Sequence, residues 1–163
     1  MSKKSEFEKL LAETELEMDD ILQEKCSEDN ISQKRKFNVI NINQIEFDKE
    51  IVEEPLEWYR PGIQINVLNK LKKIKRSYDF REGKIDLHGE TINSAQLNIN
   101  RHMEKCFISG IKQILIITGK GTAEISPLKK LVFVMLKKYS IVEAFCLATN
   151  HGGSGAFYVQ IKN

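Results

Sequence analysis

The sequence predicts an α/β fold: a two-layer sandwich in the order β-α-β-α-β-β over residues 84–163, with a mixed four-stranded sheet and two helices. Three observations carry this. Short apolar or alternating runs of strand length occur at KIDL, QILIIT, VEAFCLA and AFYVQIK. Between the first three lie stretches whose apolar residues recur at helical spacing. Glycine, or a Ser-Pro pair, marks the changes from one pattern to the other.

The strand KIDL leads into a helix from about Ile92 to Ser109, with Ile92, Ala95, Ile99, Met103, Cys106 and Phe107 on one face and Gly110 closing it. QILIIT is a continuous apolar run, as a buried strand requires. Ser126 and Pro127 then supply an N-cap and a first-turn proline for a helix with Leu128, Leu131, Val132, Met135 and Tyr139 inward. The last two strands are separated by TNHGGSG. A β-α-β unit joins parallel strands and lays its helix on the sheet, so DLHG and TGKG share the C-terminal edge, the usual place for a site in open α/β folds.

Upstream, residues 51–83 form a helical, basic lead-in. Pro61 stands where a helix can begin, Ile63, Val67, Leu68, Leu71 and Ile74 form its apolar side, and Lys70, Lys72, Lys73, Lys75 and Arg76 a ridge in its last turns. The ridge suits a nucleic-acid backbone, or simply solvent and the negative end of the helix dipole. Residues 1–50 form an N-terminal extension. Phe7, Leu10, Leu11, Met18, Ile21 and Leu22 mark an amphipathic, acidic helix over about 5–25, and a polar linker continues to about residue 50.

Charge divides along the same lines. Residues 1–50 carry 8 Lys or Arg against 13 Asp or Glu, residues 51–83 carry 7 against 5, and residues 84–163 carry 10 against 5. A basic C-terminal half suits a polyanion, which the acidic front would repel. Three cysteines are too few for a disulfide framework, no apolar span is long enough to cross a membrane, and MSKKSEFEKLL lacks the apolar core of a signal peptide. The expectation is a cytoplasmic protein with no membrane partner.

Alternation points Asp86 and His88 to one face of the first strand. A carboxylate beside an imidazole fixes its tautomer and makes it a usable general acid or base, although the pair would also serve to cap a helix or close a turn. TGKG is not a Walker loop, because Ile114 holds the first glycine position and Gly121 the Ser/Thr position. Gly119 and Gly121 around Lys120 nonetheless let backbone N–H groups and an ammonium approach an anion. HGGSGA fails the dinucleotide fingerprint at Tyr158. His151, Gly152, Gly153 and Gly155 form either an open turn that a phosphate backbone could touch or a plain hairpin link. His102 and the unclustered histidines do not make a metal site.

DLHG, TGKG and HGGSGAFYV in this order, across this alternating pattern, resemble the small MutS-related (Smr) domain, and WYRPGIQINVLNKLKK is similar to the lead-in of stand-alone bacterial members. The resemblance implies a fold like the C-terminal domain of translation initiation factor three and an endonuclease acting on DNA or RNA. For some members the substrate is messenger RNA at stalled or collided ribosomes. Carried over residue by residue, it makes Asp86 and His88 the catalytic pair and Gly119, Lys120 and Gly121 the GKG loop. Thr122 and Ala123 depart from the basic or His residue often found after that loop.

The leading expectation is therefore RNA cleavage by 2′-hydroxyl attack, with His88 moving the proton, Asp86 orienting it, Lys120 and nearby N–H groups stabilising the phosphorane, and no cofactor. DNA nicking by water, with a divalent ion, is the alternative within the nuclease class. A non-catalytic RNA- or ribosome-binding module is the alternative outside it. The helix at 5–25 would dock on a protein groove, the ribosome being the partner the resemblance suggests.

Overall fold

A computed structural model describes residues 37–121 and 125–162. The amphipathic stretch 5–25 and the linker after it lie outside the described residues, as do Thr122 and Ala123. The elements are α1 (Gln44–Lys49), β1 (Trp58–Tyr59), α2 (Ile65–Lys72), a 3-10 turn (Arg81–Gly83), β2 (Lys84–Asp86), α3 (Ile92–Ile108), β3 (Gln113–Ile117), α4 (Pro127–Lys138), β4 (Val142–Ala148) and β5 (Gly153–Ile161).

One mixed sheet has the order β1-β4-β5-β3-β2. β2 and β3 are parallel across α3, whereas β5 is antiparallel to both β3 and β4. The four strands and two helices expected from residues 84–163 are present. A two-residue strand from the lead-in adds a fifth, pairing Trp58 with Phe145 and stacking its ring on that phenyl at 5.7 Å. Two residues are too few to display an alternation, so β1 has no signature in the sequence.

Local chemistry fixes the helix starts. Thr91 Oγ1 accepts from Ser94 N–H and Ser126 Oγ accepts from Lys129 N–H, each satisfying a first-turn donor. α3 and α4 then bury Ile99, Met103, Leu131 and Leu136 against Leu87, Ile116 and Phe157 on one face of the sheet. On the opposite face Leu68 and Leu71 of α2, with Phe80, cover Leu115, Cys146 and Tyr158. The lead-in is thus a partial third layer.

Three boundaries differ from the sequence reading. α2 begins at Ile65 rather than near Pro61, because Pro61 and Gly62 are the central residues of a turn closed by Ile63 N–H donating to Arg60 O at 3.0 Å, with Gly62 at φ +91°. α2 also ends at Lys72, so Lys75 and Arg76 follow the helix instead of lying on it. β5 starts three residues earlier than the apolar run, since Gly153 pairs with Ala148 after an irregularity in the ladder.

The stretch 37–50, which composition groups with the linker, packs on the helix layer. Phe37, Ile40, Ile42 and Phe47 rest on the core, and Lys137 and Lys138 of α4 pair with Glu50 and Glu46. Its apolar residues follow neither helical nor strand spacing, which is why it reads as linker. Asn100 of α3, 6% exposed, secures it: Oδ1 accepts from Ile40 N–H and from Tyr139 O–H, and Nδ2 donates to Ile40 O. Asn100→Ala strands a buried hydroxyl and two backbone groups. A loss of about 1–3 kcal/mol is expected, read as a lower thermal midpoint, and an unchanged midpoint would show that this network contributes nothing.

Candidate active site

β2 ends at Asp86, and the next residue, Leu87, is fully buried and donates its N–H to Ile117 O at 2.8 Å. Anchoring Leu87 inward leaves Asp86 and His88 on the outer side of the chain, as alternation requires. A turn closed by Glu90 N–H on Leu87 O, with Gly89 at φ +76°, then delivers the chain to the Thr91 cap. Within this frame His88 Nδ1 lies 2.7 Å from Asp86 Oδ1, and the His88 N–H donates to the same oxygen at 3.1 Å. The side chains are 73% and 45% exposed.

Partial burial pushes the Asp86 carboxyl up, but the ring and backbone hydrogen bonds from His88, aided by the charges of His88 and Lys84, outweigh it and hold Asp86 below its ordinary value. An ionised Asp86 accepts, so Nδ1 carries the hydrogen, and in the neutral ring Nε2 is the acceptor. A pair so arranged can pass a proton.

The TGKG loop lies against it. Gly119 and Gly121 adopt φ +78° and +67°, and a Cβ on Gly119 would stand 3.4 Å from the His88 Cβ. Gly155 O holds the loop by accepting from Thr118 N–H, Gly119 N–H and Thr118 Oγ1 at 2.8, 3.0 and 3.2 Å. His88, Gly89, Thr91, Gly119, Gly121 and Ser126 are among the residues lining a cleft of about 490 Å³ into which the starts of α3 and α4 open. The helix N-termini favour an anion there, whereas Glu90, which also lines the cleft, opposes one.

DLHG, GKG and Gly155 therefore meet at one edge of the sheet. Gly155 is buried beneath the loop that its carbonyl holds. Lys120 is exposed at the loop tip. His151 does not join the cleft. Its Nδ1 meets Tyr158 Oη at 2.6 Å and its Nε2 meets Tyr78 O at 3.1 Å, with the ring edge-on to Phe80 at 5.2 Å. A carbonyl can only accept, so Nε2 donates to Tyr78 O, and with Nδ1 on the tyrosine hydroxyl both ring nitrogens are engaged. Gly152 and Gly153 form the turn beside it at φ +125° and +62°.

The basic ridge divides. Lys72 pairs with Glu57 at 2.7 Å, whereas Lys73, Lys75 and Arg76 are exposed beyond the helix. Asn150 Nδ2 donates to Ile74 O, tying that segment to the turn after β4. It reaches the same sheet end as His88, with β4 three strand spacings, roughly 14 Å, from β2. His102 is half-buried with Nε2 3.5 Å from Cys106 Sγ, and burial lowers its pKa. Among the described residues, no three His, Cys, Asp or Glu side chains gather as metal ligands would, and no helix is long and apolar enough to cross a membrane.

Fold and site together define a small mixed α/β domain whose Asp-x-His strand end lies against a glycine loop beside a cleft at the helix starts. The profile of the Smr domain matches residues 85–162. The crystal structure of YdaL, a stand-alone small MutS-related protein from Escherichia coli, superposes with a TM-score of 0.61 at 31% identity, covering 68% of this chain and 85% of that one. The chain belongs to the Smr domain family. It is also 30% identical over 115 residues to the probable DNA endonuclease SmrA of Escherichia coli (strain K12), covering 68% of this chain and 60% of that protein. With the endonuclease MutS2 of Clostridium tetani (strain Massachusetts / E88) it shares 26% over 125 residues, 76% of this chain but 15% of MutS2. The chain thus spans less than two thirds of the length of these two relatives.

Proposed function

We propose that this protein is an endonuclease that cleaves RNA by internal transesterification at the His88–Asp86 pair. The observation that carries the reading is the outward Nε2 of an imidazole whose other nitrogen is tied to a carboxylate at 2.7 Å, beside a glycine loop. Nε2 takes the proton of the 2′-hydroxyl, the 2′-oxygen forms a bond to phosphorus, and the bond from phosphorus to the 5′-oxygen breaks. The leaving oxygen takes a proton from solvent. The products are a 2′,3′-cyclic phosphate and a 5′-hydroxyl.

Thr118 and Gly119 N–H are engaged by Gly155 O, which leaves the N–H groups of Lys120 and Gly121, the Lys120 ammonium and the starts of α3 and α4 to stabilise the phosphorane charge. On this reading the protein needs no cofactor. Messenger RNA on stalled ribosomes is the substrate context, with stretch 5–25 as the docking element and Lys73, Lys75 and Arg76 as outlying backbone contacts.

The name of SmrA favours a second reading, DNA nicking by water with a divalent ion. Labelled RNA and DNA, each with and without EDTA and ribosomes, separate the two. Cyclic-phosphate ends on RNA, unaffected by EDTA and made faster with ribosomes, are expected. Metal-dependent cutting of DNA alone would transfer the assignment to the second reading, and binding without products would make the domain a recognition module.

A further inference from the structure

The His88–Asp86 pair stands between two depressions, and only one has entered the chemistry so far. His88 borders the cleft at the helix starts. Asp86 borders a second, open cleft of about 390 Å³ between the edge strand β2 and α3, whose walls include Glu90, Asn98, Arg101, His102 and Lys105. A strand whose scissile phosphate lies at His88 and which crosses the pair runs out of the first cleft and into the second.

The two carboxylates lining the second cleft are both hydrogen-bonded. Asp86 is engaged by His88. Glu90 accepts from Asn98 Nδ2 at 3.0 and 2.9 Å and from Ser94 Oγ at 3.0 Å. Glu82, just outside, pairs with Lys105 at 3.2 Å. His102 is kept toward its neutral form by burial. Arg101 is exposed and, among the described residues, has no ion-pair partner. Lys84, exposed on the same face of β2 as Asp86, adds positive charge.

We propose that Arg101 holds a backbone phosphate neighbouring the scissile one, making the cleft between β2 and α3 a second subsite for the substrate strand. A guanidinium offers a planar fork of donors that matches two phosphate oxygens, and the two carboxylates lining the cleft are engaged elsewhere, Asp86 by His88 and Glu90 by Asn98 and Ser94. This assignment rests on the nuclease reading. It concerns grip and register, so its signature lies in binding and not in the chemical step.

The test uses the full chain and a single-stranded RNA of defined cut site. Arg101→Ala is expected to raise KM about ten-fold with kcat little changed, and to reduce the slope of log affinity against log salt by about one contact. Arg101→Lys should recover the salt slope and only part of the affinity. A walk of uncharged methylphosphonates along the RNA locates the contact: at one flanking position the modification weakens binding of the parent protein but no longer affects Arg101→Ala. Lys112→Ala, an exposed charge at the start of β3, serves as the control for bulk charge.

Unchanged KM and salt slope in Arg101→Ala, or losses that add at every methylphosphonate position, would overturn the subsite while leaving the nuclease standing. A fall in kcat alone would also overturn it. A parent protein that neither binds nor cuts the RNA would remove the RNA-cleavage reading itself, and the subsite with it.

Discussion

His88→Ala is expected to lower cleavage by about 10² to 10⁴ while leaving the fold intact, because general acid–base catalysis by one positioned group typically contributes that much. The side chain is 73% exposed and its hydrogen-bond partner among the described residues, Asp86, is itself open to water, so the carboxylate left behind is hydrated and not stranded. Leu87, not His88, carries the packing at this strand end. A rate measurement beside a thermal melt checks the separation: a large loss of rate with an unmoved midpoint supports the role, and a folded variant that still cuts at the parent rate removes it.

Asp86→Asn should cost less than His88→Ala, since the imidazole keeps its place in the cleft but loses the partner that fixes its tautomer. The pH dependence adds a signed check. Asp86 sits below its ordinary pKa, so its contact with His88 is fully present above about pH 5 and is lost only as pH falls through the lowered value. An acid limb of the rate profile above that range therefore reports a group other than Asp86.

What the sequence made legible, and what it hid, follows from the range over which each signal acts. The strand ends carrying Asp86, His88 and the GKG loop were readable because side-chain alternation and turn glycines act over a few residues. The helix starts at Thr91 and Ser126 lie where capping chemistry puts them, for the same reason. The fate of His151 was not readable. Only the pairing of β5 between β3 and β4, and the passage of residues 78–80 across the sheet, bring Tyr158 and the Tyr78 carbonyl to its two nitrogens.

Residues 37–50 were hidden differently. Their anchor, the Asn100 amide, lies some sixty residues away in sequence on a helix face that looks merely polar. Arg101, its neighbour, is equally silent. Charge on an exposed helix face means solvent unless the surrounding acids are known to be engaged already.

Gly155→Ala is expected to disable the site through space alone. Its φ lies outside the left-handed region, so alanine suits the backbone there, yet a Cβ would stand 2.8 Å from Gly119 C, 2.9 Å from Lys120 N and 3.1 Å from Gly119 O. These are backbone atoms, which cannot swing aside as a side chain would. Either β5 or the GKG loop must shift, and the loop is the weaker partner, because it is held to β5 by the same carbonyl that the shift displaces. A displacement of about 1 Å in a positioned group can cost on the order of 10² in rate, whereas overpacking of this kind costs about 1–3 kcal/mol of stability. Measured well below its melting point, Gly155→Ala should therefore remain folded and cut RNA at least ten-fold more slowly, while Ser154→Ala, an exposed neighbour, cuts normally. If the alanine variant cuts at the parent rate, the Gly119 and Lys120 backbone does not set the geometry at the phosphate, and the catalytic assignment would have to rest on His88 and Asp86 without the loop.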